Sequence, residues 1–182
     1  MEKQKKQFLV VIAVLVVCVA AYFGVSSYAK KEQERKEQET ADQQVTVAEI
    51  DVDQIDSFSY IADGETYHYQ KDDKKWSCKE DTTLSLDAAL ISDMLGNLEK
   101  VEAAEKLEDY EKLSDYGLDS PRNTITVTCG DNSTIFNVGD YNEMLGEYYL
   151  QKEGDNSVYL IDSSLADTFS QLPMNLVEVE EE

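Results

Sequence analysis

YGLDSPRNTITVTCGDNSTIFNVGD, residues 116–140, is the stretch whose reading decides the fold. Thr124, Thr126 and Thr128 alternate with Ile125, Val127 and Cys129, a period of two that belongs to a strand with one buried face. Gly130-Asp131-Asn132 then supplies turn chemistry, and an alternating run resumes over residues 134–138. The pattern predicts a β-hairpin, entered in an extended conformation because the ring of Pro121 keeps the preceding residue out of the helical region.

The same signals continue in both directions. Downstream, residues 147–151 and 157–161 form a second hairpin pattern around Gly154-Asp155-Asn156. Asp162 then caps a closing helix whose Leu165, Phe169 and Leu172 line up before Pro173 stops it. Upstream, residues 55–61 read as a strand, and residues 65–70 and 75–79 as a hairpin around Asp72-Asp73-Lys74, with Trp76 and Cys78 on one face. Asp87 is the N-cap of an amphipathic helix with Leu90, Ile91, Met94, Leu95 and Leu98 on its apolar stripe. Residues 101–105 return as a strand and residues 110–114 make a short helical turn. The expected class is α+β: mostly antiparallel sheet or sheets built from three hairpins with two packing helices, over residues 49–177, preceded by one transmembrane helix. Strands followed by a helix occur twice, over 55–98 and 124–172, with no sequence motif shared between them.

The transmembrane helix rests on FLVVIAVLVVCVAAYFGVSSY, residues 8–28, an uncharged run of 21 residues. As a helix it spans roughly 31 Å, the thickness of a bilayer's hydrocarbon core. The expected organisation is a cytoplasmic tail over 1–7, a signal-anchor helix over 8–29, a charged stalk over 30–48 and an acidic tail over 178–182. A cleaved signal peptide is the alternative, with Ser27-Tyr28-Ala29 or Val19-Ala20-Ala21 as the cleavage site, although its apolar region is usually only about 7–15 residues. Val17 and Val19 around Cys18 do not fit a lipoprotein signal. Lys3, Lys5 and Lys6 nearly balance Lys30, Lys31, Arg35 and Lys36, so flanking charge does not orient the helix. A small basic tail is easily retained inside, and a long domain can translocate whatever its charge. The expected location is therefore the cell membrane, single-pass, with the C-terminal domain outside the cytoplasm.

The chain carries 38 acidic and 16 basic residues, a net charge of −22, and all but six of the acids follow residue 44. Such a surface repels phosphate backbones, so nucleic acid is not an expected partner. No catalytic constellation stands out. His68 is the only histidine and has no nucleophile motif near it, and one histidine with widely spaced cysteines offers no zinc ligand pair. Asp51, Asp53 and Asp56 resemble part of a calcium loop, but Ile55 takes the fifth position and no glycine follows. The expectation is a protein that is not an enzyme and holds no cofactor or metal. Cys78 and Cys129 both fall on the apolar parity of their strands. On adjacent strands outside the cytoplasm they would form a disulfide contributing roughly 4 kcal/mol, whereas buried free thiols need no partner. Tyr60, Tyr67, Tyr69, Tyr141, Tyr148, Tyr149 and Tyr159 either cover the sheet or form a recognition surface for a glycan or peptide.

Tyr116-Gly117-Leu118-Asp119-Ser120-Pro121, followed by Phe136-Asn137-Val138-Gly139-Asp140, Tyr148-Tyr149-Leu150 and Val158-Tyr159-Leu160-Ile161-Asp162, resembles the pattern of a bacterial domain-of-unknown-function family, number 4340, over residues 55–176. The resemblance implies a membrane-anchored extracytoplasmic domain, some members being associated with auxiliary components of gliding-motility or export ABC transporters, and it brings no catalytic residues. The motif residues Tyr116, Gly117, Leu118, Asp119, Pro121 and Gly139 read as structural punctuation: Gly117 supplies a positive φ, Leu118 plugs the core and Pro121 forces an extended entry. The expected function is a membrane-tethered, non-enzymatic interaction or accessory module whose partner is another membrane or envelope protein. The alternative is an extracytoplasmic glycan- or peptide-binding or hydrolytic domain.

Overall fold

The computed structural model describes residues 44–73 and 75–178. The expected tail over 1–7, helix over 8–29 and the stalk up to residue 43 lie outside the described residues, as do residues 179–182. Among the described residues no helix is long and apolar enough to cross a membrane.

The domain is mostly antiparallel sheet with two α-helices. Two meanders diverge from a central pair. β2 (Ser57–Ala62), β3 (Glu65–Asp72) and β4 (Lys75–Cys78) run outward on one side. β7 (Asn123–Cys129), β8 (Asn132–Asn142), β9 (Glu147–Lys152) and β10 (Val158–Ile161) run outward on the other. They meet at an antiparallel seam of β2 and β7, with Ser57 opposite Thr128 and Ser59 opposite Thr126. The sheet order is β4-β3-β2-β7-β8-β9-β10, with one further short strand beyond β10. A helix follows each meander: α1 (Ala88–Gly96) after β4, and α2 (Ser163–Thr168) after β10.

The strand expected over 101–105 divides in two. β5 (Lys100–Ala103) pairs with β1 (Val45–Glu49), whereas β6 (Glu105–Leu107) pairs with β10. Ala104 sits at the break, its N–H donating to the Leu160 carbonyl at 2.8 Å. β1 corrects the stalk boundary, because residues 45–48 belong to the fold: Val47 is buried and joins the core. Glu178, expected in the acidic tail, is likewise tied to the fold. Glu178 donates its N–H to the Ser85 carbonyl and accepts the Ser85 hydroxyl, both at 2.9 Å.

Why α1 forms is plain from its cap and spacing. Asp87 Oδ1 accepts from the N–H groups of Ala89 and Leu90 at 2.7 and 3.4 Å, satisfying donors that the first turn leaves free. Ile91, Met94, Leu95 and Leu98 recur at helical spacing and are buried, each such burial contributing about 2 kcal/mol. Leu90, expected on that stripe, lies at its border and is exposed. On the sheet the same cluster takes Phe58, Tyr60, Tyr69, Ile125, Val127 and Phe136, all from the alternate positions that the period of two picks out. α2 is shorter than expected, with Phe169 as a buried C-cap and Pro173 opening a 3-10 turn, Pro173–Leu176.

One buried polar side chain ties these layers together. Asn123 Oδ1 accepts from the Ile61 N–H at 2.8 Å, and its Nδ2 donates to the Phe169 carbonyl at 2.8 Å. A single amide thus joins β2, β7 and the end of α2. Nearby, the Tyr60 and Tyr69 hydroxyls lie 2.9 Å apart and Tyr60 donates to the Gln171 carbonyl at 2.8 Å. Burial pushes the Tyr60 phenol up to about 12 and raises that of Tyr69 as well.

Candidate functional site

The motif residues lie against the reverse face of the sheet. A 3-10 turn, Leu113–Tyr116, ends at Gly117 with φ +67°, and the Leu118 N–H returns to the Leu113 carbonyl at 3.0 Å. Leu118 is buried, as are Val158 and Leu160, yet none of the three belongs to the main core cluster. Along β10 they alternate with Tyr159 and Ile161, which do belong to it, so Val158 and Leu160 face the other side. A Cβ on Gly139 would stand 2.1 Å from the Tyr116 carbonyl oxygen and 3.1 Å from Leu118 Cδ2. Glycine is what lets this strap lie directly on β8, at the irregularity between Val138 and Tyr141. Tyr116 meets the Tyr149 ring edge-on at 4.7 Å and Tyr110 at 6.1 Å. Asp119 is exposed and Pro121 half-buried.

Cys78 and Cys129 do not pair. Cys78 on β4 and Cys129 on β7 are both free thiols. β3 and β2 stand between their strands, and three spacings of about 4.8 Å separate them by at least roughly 14 Å, twice the Cα reach of a disulfide. The premise of adjacent strands fails because the order of strands in a sheet is a nonlocal property. Cys78 has a different neighbour. Its thiol lies 3.5 Å from Glu80 Oε2, and Glu80 Oε1 lies 2.7 Å from His68 Nδ1. Thiol, carboxylate and imidazole therefore come together, but with the carboxylate in the middle. Burial pushes the Cys78 thiol up, so the arrangement does not favour a nucleophilic thiolate. Desolvation raises Glu80, and the hydrogen bonds from the His68 N–H and ring outweigh it, leaving the carboxyl below its usual range. The cluster staples the β3–β4 hairpin.

Two of the three aspartates of the calcium-like run accept from backbone N–H groups, one nearby and one on the β7–β8 turn. Asp51 accepts from the Asp53 N–H at 3.3 Å and Asp56 from the Gly130 N–H at 2.6 Å. Among the described residues no group of three or more His, Cys, Asp or Glu is placed to hold a metal ion.

The tyrosines separate by exposure. Tyr60, Tyr69 and Tyr159 are buried, Tyr67, Tyr148 and Tyr149 are half-buried, and Tyr141 is exposed. Tyr141 leads to the most conspicuous surface feature of the domain, the β8–β9 turn. There Met144 is 96% exposed and Leu145 56%. The turn is built by Asn142, whose Oδ1 accepts from the N–H groups of Met144 and Leu145 at 3.0 and 3.2 Å and whose carbonyl accepts from Gly146 at 2.8 Å. Its Nδ2 donates to the Tyr149 hydroxyl at 2.8 Å, and Gly146 takes φ +75°. Behind the turn Tyr141 packs on Tyr148 at 4.8 Å, and the guanidinium of Arg122 lies 5.5 Å from the Tyr148 ring. Arg122 and Tyr148 also line a cavity of about 250 Å³ against Ala166 and Ser170. In the sequence Tyr141 and Tyr148 stand out by type, whereas the only signal for Met144 and Leu145 is an apolar pair inside an otherwise polar strand connection.

A second surface is the reverse face over the seam. Ser57, Ser59, Thr126, Thr128, Ser133 and Ile135 face one another across β2, β7 and β8 without a formal charge, and the Thr128 and Ser133 hydroxyls are 3.0 Å apart.

A family model described as a domain of unknown function (DUF4340) matches residues 76–180, more than half of the chain. No curated protein and no solved structure matches it.

Proposed function

We propose, from the premise that this chain belongs to the DUF4340 family, that it is a membrane-tethered, non-enzymatic interaction module of the cell envelope. Its domain stands outside the cytoplasm and contacts another membrane or envelope protein. The observation that carries this reading is the β8–β9 turn, where the Asn142 side chain accepts from the N–H groups of Met144 and Leu145 and both residues stand out into solvent. Exposed apolar side chains cost solubility, and a rigid turn that presents them lowers the entropy lost on docking. The uncharged run over residues 8–28 supports the tether. A component of an ABC-type transporter is the partner class that the sequence resemblance implies. Crosslinking in intact membranes followed by copurification should yield a stoichiometric membrane-protein partner; its reproducible absence sinks the proposal. The side is checked by placing Ser57→Cys in a cysteine-free background, where an impermeant reagent should label intact cells, and labelling only after lysis contradicts an external domain.

A second reading is favoured by two features on the reverse side of the sheet, the uncharged hydroxyl face of β2, β7 and β8 and, further along β8, the edge-to-face tyrosines Tyr110, Tyr116 and Tyr149. Hydroxyl and amide groups next to aromatic edges suit a glycan. Saccharide-dependent changes in tyrosine or tryptophan fluorescence would support it, and silence across a panel of cell-surface saccharides would remove it.

A further inference from the structure

We infer that the β8–β9 turn is a plug for an apolar socket rimmed by lysine or arginine on a partner protein. The inference rests on the interaction-module reading and names the chemistry of the partner. Among the described residues Tyr141, Met144 and Leu145 are three of the five exposed large apolar side chains, and they sit within one hairpin end. Their presentation is fixed: Asn142 closes the turn through its side chain and its carbonyl, and Tyr149 holds the Asn142 amide from the reverse face. Methionine is the side chain that adapts best to an irregular apolar wall, so a rigid turn bearing a compliant tip suits insertion.

Charge decides the occupant. Asp140, Glu143 and Glu147 frame Tyr141, Met144 and Leu145 within residues 140–147. Glu147 is raised from its ordinary value, first by burial and then by Glu105 and Asp162, so the base of the turn already carries crowded negative charge. A membrane surface bearing anionic lipid would repel this frame, and seating the tip in the bilayer would drag carboxylates toward hydrocarbon. A second copy of the chain would bring the same net charge of −22. A socket with a basic rim satisfies both the apolar tip and its acidic frame.

The test uses the full chain in native membranes, with a photoreactive benzoylphenylalanine replacing Leu145 and, as a control, Ser133 on the reverse face. Irradiation should give one discrete adduct from the Leu145 position. The crosslinked peptide should be an apolar segment flanked by lysine or arginine. Met144→Glu should reduce its yield at least tenfold, and so should raising the salt. Met144 is nearly fully exposed, so the thermal midpoint of that variant should equal that of the parent and a folding defect cannot imitate the loss. An adduct with lipid, with another copy of this chain, or with an acid-flanked segment overturns the inference. If the Leu145 position gives no adduct while an amine-reactive crosslinker still yields a stoichiometric partner, the plug is wrong and the interaction-module reading stands. If neither reagent gives a partner, both fall.

Discussion

Gly139 and Gly117 differ from the other turn glycines in what stands where a side chain would be. At Gly139 the obstacle is backbone, the Tyr116 carbonyl oxygen at 2.1 Å, and it cannot swing away. Gly117 would meet the Asp140 carboxylate at 2.6 Å, but Asp140 is exposed and can rotate, leaving mainly the strain of a positive φ. Gly130, at φ +59°, meets nothing within 4 Å. Alanine should therefore destabilise in the order 139, 117, 130, by about 3, 2 and 1 kcal/mol, read as shifts in urea midpoint at constant slope. An equal cost at all three would show that the strap's contact with β8 contributes nothing beyond backbone conformation. A second residue effect depends on pH. The Tyr159 hydroxyl donates to Asp155 Oδ2 at 2.6 Å, and this bond, opposed by desolvation, holds the Asp155 carboxyl below its ordinary value. Because the folded pKa is depressed, the stabilisation is complete above the unfolded carboxylate value of about 3.9 and is lost as pH falls through the lower folded value. Tyr159→Phe should cost about 2 kcal/mol near pH 7, and its difference from wild type should shrink at a pH well below the ordinary carboxylate value. Denaturation curves at the two pH values measure it, and a difference that does not change with pH would assign the cost to packing alone.

At the scale of elements, the thiols give a direct check of strand order. In a Cys18→Ser background, reductant should leave the thermal midpoint unchanged, and a thiol reagent should modify half-buried Cys129 before buried Cys78. A midpoint that falls with reductant would mean that β4 and β7 come together in some populated form. The error behind the expected disulfide also shows what a sequence can carry. Hairpins were readable because both their signals are local: Ile125 and Val127 alternate with threonines, and glycine with aspartate marks the turns. Asp87 and its stripe made α1 readable for the same reason. The placement of β2 and β3 between the two cysteine strands has no local signature, nor has the division at Ala104, which depends on what β1 and β10 offer to each half. β1 itself was hidden by the polar run before it, although Val45 and Val47 carry the period of two. Asn123 carries no signal of its role, because a buried amide looks, in sequence, like one more polar residue before a strand. Asn123→Ala would strand the Ile61 N–H and the Phe169 carbonyl together, and a loss of about 2–3 kcal/mol in urea is the expected reading. The candidate site was half-legible: Tyr141 and Tyr148 drew attention by type, whereas Met144 and Leu145 become notable only once the turn is known to hold them outward.

Over the whole molecule one long-range term stands against many short ones. With 38 acidic residues against 16 basic, the chain repels itself in the compact state. Lys100 with Glu102 and Lys106 with Glu108, ion pairs among the described residues, lie at the surface, where such pairs contribute about 0–1 kcal/mol each. They are too few to offset the field. Raising sodium chloride from about 0.02 to 0.3 M shortens the screening length from roughly 20 Å to 6 Å and should raise the thermal midpoint by a few degrees. Choline chloride at the same ionic strength should do the same, because the cause is screening. A gain seen with one cation alone would point to specific binding, and a fall in midpoint would mean that attraction dominates the charge map. The same field governs association with the opposite sign. An acidic plug seated in a basic socket should loosen over the salt range that tightens the fold, so the midpoint should climb while the crosslink from Leu145 fades. If both rise together, apolar burial carries the contact alone and the acidic frame around Met144 has no part in choosing the partner.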